Sequence, residues 1–310
     1  MEQNQSELQE QTASAVPDER PATPSPSVEP TAHAITPQAC ATCGTTPAAG
    51  PAMVASPQCV YVIGHIEPRF PLLSIEKEAR QVIARGGPTK DTDREVMAKL
   101  LRDKANNYIV RQLCWVLSVQ GVETYILLPR DGDYQPLVEA YRTEPDPGDL
   151  ELVIGVRGPV APPTMCNGLQ VPIVIFDQIY AFDRDTLLKA IAPPKGGDGA
   201  KFKAASSEML NRILHQIDNA GATDCDRALN YLAVRYERIY GLAAEQFANN
   251  ASFTGIDCRM SPLSGTRKIV EAIFAFTDRT SGVVSKFATR VDVTECFPFL
   301  VTALGPYVDR

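Results

Sequence analysis

The stretch from Asp149 to Arg184, DLELVIGVRGPVAPPTMCNGLQVPIVIFDQIYAFDR, constrains the chain more than any other. Two apolar, β-branched runs, Leu152 to Val156 and Val171 to Phe176, are too short for helices and flank a Gly/Pro-rich excursion. That pattern predicts two strands joined by a shaped loop. The rings of Pro159, Pro162 and Pro163 stiffen the loop, while Gly158 and Gly168 permit its turns. Such a loop presents Cys166 and Asn167 at a fixed place, with Arg157 and Asp177 on the flanking strands, and these four residues form the candidate binding set. A nucleophilic Cys166 needs a His base, and neither His65 nor His215 is placed beside it by sequence, so a thiol that fills a gap is the plainer reading. No residue is assigned a catalytic role.

The segments around this stretch extend the pattern. Val60 to Ile63 reads as a short buried strand closed by Gly64, and the prolines of His65 to Pro71 keep the next segment extended. Ser74 caps a helix whose Ile75, Ala79, Val82 and Ile83 share one face and which Gly86 and Gly87 stop. Thr92 and Glu95 form a capping box for a second helix, and Asn106 or Asn107 starts a third that runs through Val119, with Cys114 and Trp115 as core. Glu123 to Leu128 reads as a strand, Pro136 to Tyr141 as a short helix, and Asp183 caps a helix over Thr186 to Ile191. Pro193-Pro194 and the following glycines mark a linker over residues 192 to 205. Beyond it, helices carry Met209 to Ile217, Ala228 to Tyr236 and Leu242 to Phe247, the second of them capped by Thr223 or Asp224. Lys268 to Thr277 and Val283 to Val293 then alternate as a hairpin, and Glu295 to Val308 closes the chain as helix or ordered coil.

The expected fold class is therefore α+β. A first lobe, residues 58 to 191, is α/β-layered with a partly parallel sheet, and a second, 206 to 310, is helical before its antiparallel hairpin. Residues 1 to 57, rich in Pro, Ala, Ser and Thr and lacking any aromatic side chain, cannot bury enough apolar area to offset backbone entropy and read as a disordered tail.

Within that tail, Cys40-Ala-Thr-Cys43-Gly has the spacing of half a zinc site, with Cys59 as the nearest third donor. The missing ligand would come from the folded body or from a second subunit, which makes a zinc-sharing homodimer one reading of the chain. An idle cysteine pair is the plainer one. The flanks are loop, which does not suit the strand-then-helix setting of a redox C-x-x-C.

Composition narrows the function classes. The net charge of −7 disfavours a nonspecific nucleic-acid binder, whose affinity comes from clustered Lys and Arg. The longest apolar-rich run, Tyr108 to Val119, is interrupted by Arg111 and Gln112 and is too short to span a bilayer. The N-terminus has no basic and apolar secretory pattern, so the expected compartment is the cytoplasm and the expected state of the eight cysteines is reduced thiol. No P-loop, dinucleotide-binding glycine fingerprint, H-E-x-x-H, G-x-S-x-G or protease triad is present.

Whole phrases of the chain are similar to a known family. YVIGHIEPRFPLLSIEKE (61 to 78), RQLCWVLSVQGVETYILLPRD (111 to 131), GVRGPVAPPTMCNGLQVPIVIFDQIYAFDRD (155 to 185), DNAGATDCDRALNYLAVRY (218 to 236) and TECFPFLVTALGPYVDR (294 to 310) resemble, in order, the C-terminal domain of unknown function of the cyanobactin maturation proteins PatA and PatG. The resemblance implies a place in the maturation of ribosomally made, post-translationally modified peptides, where this domain accompanies subtilisin-like proteases. It does not bring protease activity with it, because the triad is missing here. The leading expectation is a noncatalytic accessory protein that binds a precursor peptide or a maturation protease. The alternatives are a peptide-modifying enzyme that uses the Cys166 loop, and a dimerisation domain with shared zinc.

Overall fold

The computed structural model describes residues 58–146, 148–183, 187, 199–215 and 219–307. Cys40, Cys43, the expected tail and the helix expected over Thr186 to Ile191 lie outside the described residues, apart from Leu187. The polypeptide divides into two compact units, Met1–Val54 and Ala55–Arg310, and all that follows concerns the second.

Five strands close into a barrel in the order β1 (Cys59–Arg69), β2 (Cys114–Val119), β3 (Val122–Pro129), β5 (Pro172–Asp183), β4 (Asp149–Val160). Every pairing is antiparallel except β3 with β5. With the helix α4 (Gln135–Ala140) between β3 and β4, this is the five-stranded Greek-key barrel of the OB type. Side-chain alternation sends Val60, Val62, Trp115, Leu117, Tyr125, Leu127, Val153, Val174 and Phe176 into one core. The long β1–β2 connection carries α1 (Leu73–Arg85), α2 (Asp93–Arg102) and the single turn α3 (Asn107–Val110), and their Ala79, Ala98, Leu101 and Ile109 extend that core. Thr92 and Glu95 do form the capping box of α2.

The second lobe is a four-stranded antiparallel sheet, β6 (Ala251–Met260), β7 (Ile269–Asp278), β8 (Val284–Asp292) and β9 (Phe299–Pro306), in sequence order. One face is covered by α5 (Gly199–Leu214), α6 (Asp224–Arg235) and α7 (Arg238–Ala248), whose Met209, Ile213, Leu229, Leu232 and Ile239 pack with Val270, Phe274, Phe276 and Val291 of the sheet. The fold class is α+β, as the sequence predicts, with a mixed first sheet and an antiparallel second one.

Four local expectations are corrected. The third helix ends at Val110, and Cys114–Val119 is the strand β2, in which Cys114, Trp115, Val116 and Leu117 are all buried. Residues burying both faces of a strand give a continuous apolar run that helical periodicity also fits. Residues 199 to 205 are the first turns of α5 rather than the end of a linker. Residues 299 to 306 are the strand β9, not helix or coil, and β6 adds a strand to the expected hairpin. The six cysteines among the described residues are not reduced thiols: Cys59 pairs with Cys296, Cys114 with Cys166 and Cys225 with Cys258, at Cα separations of 4.9, 5.5 and 5.8 Å. Their partners lie 237, 52 and 33 residues apart, so the pairing is set by the fold rather than by spacing.

The two lobes meet along β1. Its first half pairs with β4, its second half with β2, and the edge left open at Tyr61 is completed by the second lobe. Tyr61 N–H donates to the Gly221 carbonyl at 2.9 Å, and the Tyr61 carbonyl accepts from Asn230 Nδ2 at 2.8 Å. Asn230 is 1% exposed and exchanges two further bonds with the Asn219 amide, at 2.8 and 3.0 Å. Gly221 has φ +66°, and a Cβ there would lie 2.5 Å from the Tyr61 carbonyl oxygen, so only glycine lets the loop approach so closely. Around this seam, Tyr61, Ile63, Leu152 and Ile154 on the outside of the barrel pack with Leu214, Tyr231 and Val234, and the Cys59–Cys296 disulfide closes it covalently.

Asn230→Ala leaves the Tyr61 carbonyl and the Asn219 side-chain oxygen buried without partners, while Asn219 Nδ2 keeps the Ile213 carbonyl. It is expected to cost about 3 kcal/mol of unfolding free energy. Trp115, the chain's one tryptophan, sits buried in the barrel core, so urea unfolding followed by its fluorescence reads the loss. A change below about 0.5 kcal/mol would show that the seam does not hold the lobes.

Candidate functional site

The loop between β4 and β5 takes a sharp form. Cys166, Asn167 and Gly168 are consecutive residues with φ of 53°, 54° and 84°. Asn and Gly tolerate this left-handed region, but Cys166 does not, at a cost of about 1–2 kcal/mol. The Cys114–Cys166 disulfide and a small core hold it there: Cys114, Ile126, Ala161 and Cys166 are buried together, with Met165, Leu169 and Ile173 packed against them. The loop is thus stapled to the start of β2 with Asn167 exposed at its tip. Strain retained against such a cost marks a segment whose shape matters.

This geometry settles the position of each predicted site residue. Cys166 holds a buried sulfur bonded to Cys114, so there is no free thiol for a nucleophile, and Cys114, expected to serve only as core, is its covalent partner. Arg157 is exposed on β4, where its backbone N–H donates to the Gln58 carbonyl at 2.7 Å. Asp177 is the extra residue of a β-bulge, since Ile154 pairs with Gln178 and Gly155 with Phe176, and both its carboxylate oxygens accept from Arg130. The structure does not gather Arg157, Cys166, Asn167 and Asp177 around one point. Cys59, the third donor expected for zinc, is bonded to Cys296 instead, and among the described residues no group of His, Cys, Asp and Glu could hold a metal ion.

Sequence reasoning passes over a second feature, a carboxylate inside the barrel. Glu151 is 4% exposed on the core-facing side of β4, flanked in sequence by Leu150 and Leu152. An acid within an apolar strand run was the available signal. Its Oε2 accepts from Ile66 N–H at 3.2 Å and lies 4.0 Å from the half-exposed His65 ring. Burial pushes this carboxyl up to about 7; the Ile66 hydrogen bond and Arg142 oppose the rise, and Asp149 and Glu67 add to it. Nearby charges are paired with one another: Arg142 with Asp149 at 2.6 Å, and Arg94 with Glu67 at 3.0 Å, its guanidinium 4.3 Å from the Tyr141 ring centre. Glu151 and the loop lie at opposite ends of β4, about 30 Å apart at the usual rise of a strand, so they are two features and not one centre.

A family model described as PatG C-terminal matches residues 196–307. The fold is shared with a solved structure titled "PatG Domain of Unknown Function", with a TM-score of 0.65, 21% identity, and coverage of 80% of this chain and 98% of that one. No curated protein matches the chain. Residues 196–307 are thus similar to the PatG C-terminal family, and the fold is that of the PatG domain.

Two outcomes test these assignments. Iodoacetamide applied to the native, unreduced protein should leave Cys166 unlabelled, and the paired change Cys114→Ala, Cys166→Ala should cost about 3 kcal/mol; rapid labelling at neutral pH would restore the free thiol. The raised carboxyl of Glu151 means that the folded chain binds this proton more tightly than the unfolded chain. Its contribution to stability is therefore complete below about pH 4.5 and is lost as pH rises through about 7, a difference of about 3 kcal/mol. Glu151→Gln should remove that slope from unfolding free energies measured between pH 4 and 8, and an unchanged slope would exclude Glu151 as its source.

Proposed function

We propose that this protein is a noncatalytic accessory module in the maturation of ribosomally made, cyanobactin-like peptides, binding a precursor peptide or its subtilisin-like maturation protease. The observation that carries the reading is the PatG C-terminal match over residues 196–307, joined to a fold shared along 98% of the PatG domain. The barrel supports it from a different direction. In barrels of this type the loops beside the binding face, including the one between the fourth and fifth strands, carry recognition. Here that loop is prestapled by Cys114–Cys166, so binding through Asn167 at its tip, with Arg157 on the strand that leads into it, avoids much of the entropy of ordering a loop.

Immobilised protein should retain a subtilisin-like maturation protease or its precursor peptide from defined mixtures. Arg157→Ala and Asn167→Ala should each weaken retention about tenfold while leaving the urea midpoint unchanged, because both side chains are exposed. Retention of neither component, or full retention by both variants, would overturn the proposal or its placement on this loop.

A further inference from the structure

The face of the second sheet turned away from its helices carries a charge arrangement that the proposed function leaves unused. Glu271 on β7 is 2% exposed and lies opposite Arg259 on β6 and Arg290 on β8. Arg259 donates from Nε and Nη2 to Glu271 Oε2, at 3.1 and 2.9 Å, and Arg290 donates from Nη2 to Oε1 at 2.6 Å. One buried carboxylate thus holds two guanidinium groups, leaving one positive charge in excess. Farther along the face, Arg267 and Asp292 balance one another. Asp257 and Lys286, on the same face by register, carry opposite charges.

Beside this group the β8–β9 ladder opens. Its register shifts twice, between Ala288 and Arg290 and between Arg290 and Val291, and the slot that results has a volume of about 190 Å³. Arg290, Glu271, Thr302, Gly305 and Tyr307 are among its lining residues. Among the described residues two hydroxyl donors stand unused around it, and a buried donor of Arg290 is unpartnered. Arg290 Nε is buried without an acceptor among the described residues. Tyr307 Oη accepts from Arg259 Nη2, so its own O–H is left to donate. Thr302 Oγ1 accepts from the Arg290 N–H at 3.0 Å, which leaves its hydroxyl proton free as well. Excess positive charge, unused donors and an open slot are the complement of a carboxylate. The edge strand continues this surface with Phe299 and Val301, 46% and 38% exposed, which offer apolar contact to the residues next to that carboxylate.

We propose that the β8–β9 slot is a carboxylate-binding site that takes the carboxylate of a peptide. It rests on the reading of the protein as a peptide-binding module and gives that reading a chemical class of ligand. Glu271 orients the two arginines rather than neutralising them. A C-terminal carboxylate and an acidic side chain present the same chemistry, and the test separates them.

Isothermal titration of the full chain compares three probes: acetyl-Ala-Ala-Phe with a free carboxylate, its C-terminal amide, and acetyl-Ala-Glu-Phe amide. The free carboxylate should bind, the neutral amide should bind roughly tenfold or more weakly, and the affinity should fall as salt is raised. Binding of the Glu-containing amide at the strength of the free acid assigns the slot to acidic side chains; its failure assigns the slot to chain termini. Arg290→Gln should abolish the preference for a carboxylate. Tyr307→Phe removes only a hydroxyl at the surface and should weaken the free acid several-fold with an unchanged urea midpoint, which guards against a folding defect in the arginine variant. Equal binding of acid and neutral amide, or no binding of either charged probe at millimolar concentration, overturns the site. Because these probes contain no precursor or protease, carboxylate binding is read separately from retention: retention without carboxylate binding overturns the slot alone, and carboxylate binding without retention overturns the accessory reading alone.

Discussion

The open edge of β1 at Tyr61 is the constraint on which both lobes depend. A buried backbone N–H or carbonyl needs a partner, and β1 passes from β4 to β2 partway along its length, which leaves one of its edges open. At that point Tyr61 would have one buried N–H and one buried carbonyl without partners. The second lobe supplies both, from the Gly221 carbonyl and the Asn230 amide, and Asn230 is itself fixed by Asn219. The first lobe therefore relies on the second to complete a strand edge, in addition to the apolar contacts of Tyr61 with Tyr231. This is why residues 55 to 310 form one compact unit even though their apolar side chains gather into separate cores.

The disulfides follow the same logic. Cys59–Cys296 locks the start of β1 to the turn before β9, close to the seam, and Cys114–Cys166 locks the strained loop to β2. Cys225–Cys258 ties α6 to β6. Six of the eight cysteines are engaged in this way, and the thiol chemistry that the loop suggests from sequence is replaced by a mechanical role. The staple holds the loop in one shape, with Asn167 exposed at its tip.

Local signals were readable, and signals that depend on distant partners were not. The capping box at Thr92 and Glu95 and the cap at Thr223 involve residues three apart, and both appear as predicted. The focal strands were visible because each leaves an apolar run, in β4 through burial on both faces, and a loop of Pro and Gly separates them. The same property hid β2, since Ile109, Leu113, Val116 and Leu117 also satisfy a helical period. β9 was hidden for another reason: its exposed Phe299, Val301 and Ala303 are as apolar as the Leu300 and Leu304 that alternate with them, so that little contrast in polarity marks the two faces. The Tyr61 seam, the disulfide pairs and the Arg259–Glu271–Arg290 group join positions that no local window contains. Of the candidate site, the shape of the loop was legible and the assembly of its four residues was not, because Asp177 is claimed by Arg130.

Glu151 and Glu271 show how the same residue, buried to the same degree, serves two ends. Both are under 5% exposed, and both sit in strands among apolar neighbours. Glu151 has a backbone amide and a distant imidazole for company, so burial dominates and its proton is held more tightly. Glu271 has a guanidinium on each side, and the cost of burying its charge is met by bonds to both oxygens. Removing one arginine would leave a balanced pair, which is all that structure alone requires at the centre of a sheet. The second arginine is therefore surplus to the needs of the carboxylate, and it lies on the side where the ladder opens. That surplus cation, lining the slot with its Nε unpartnered among the described residues, is the feature on which the proposed carboxylate site rests.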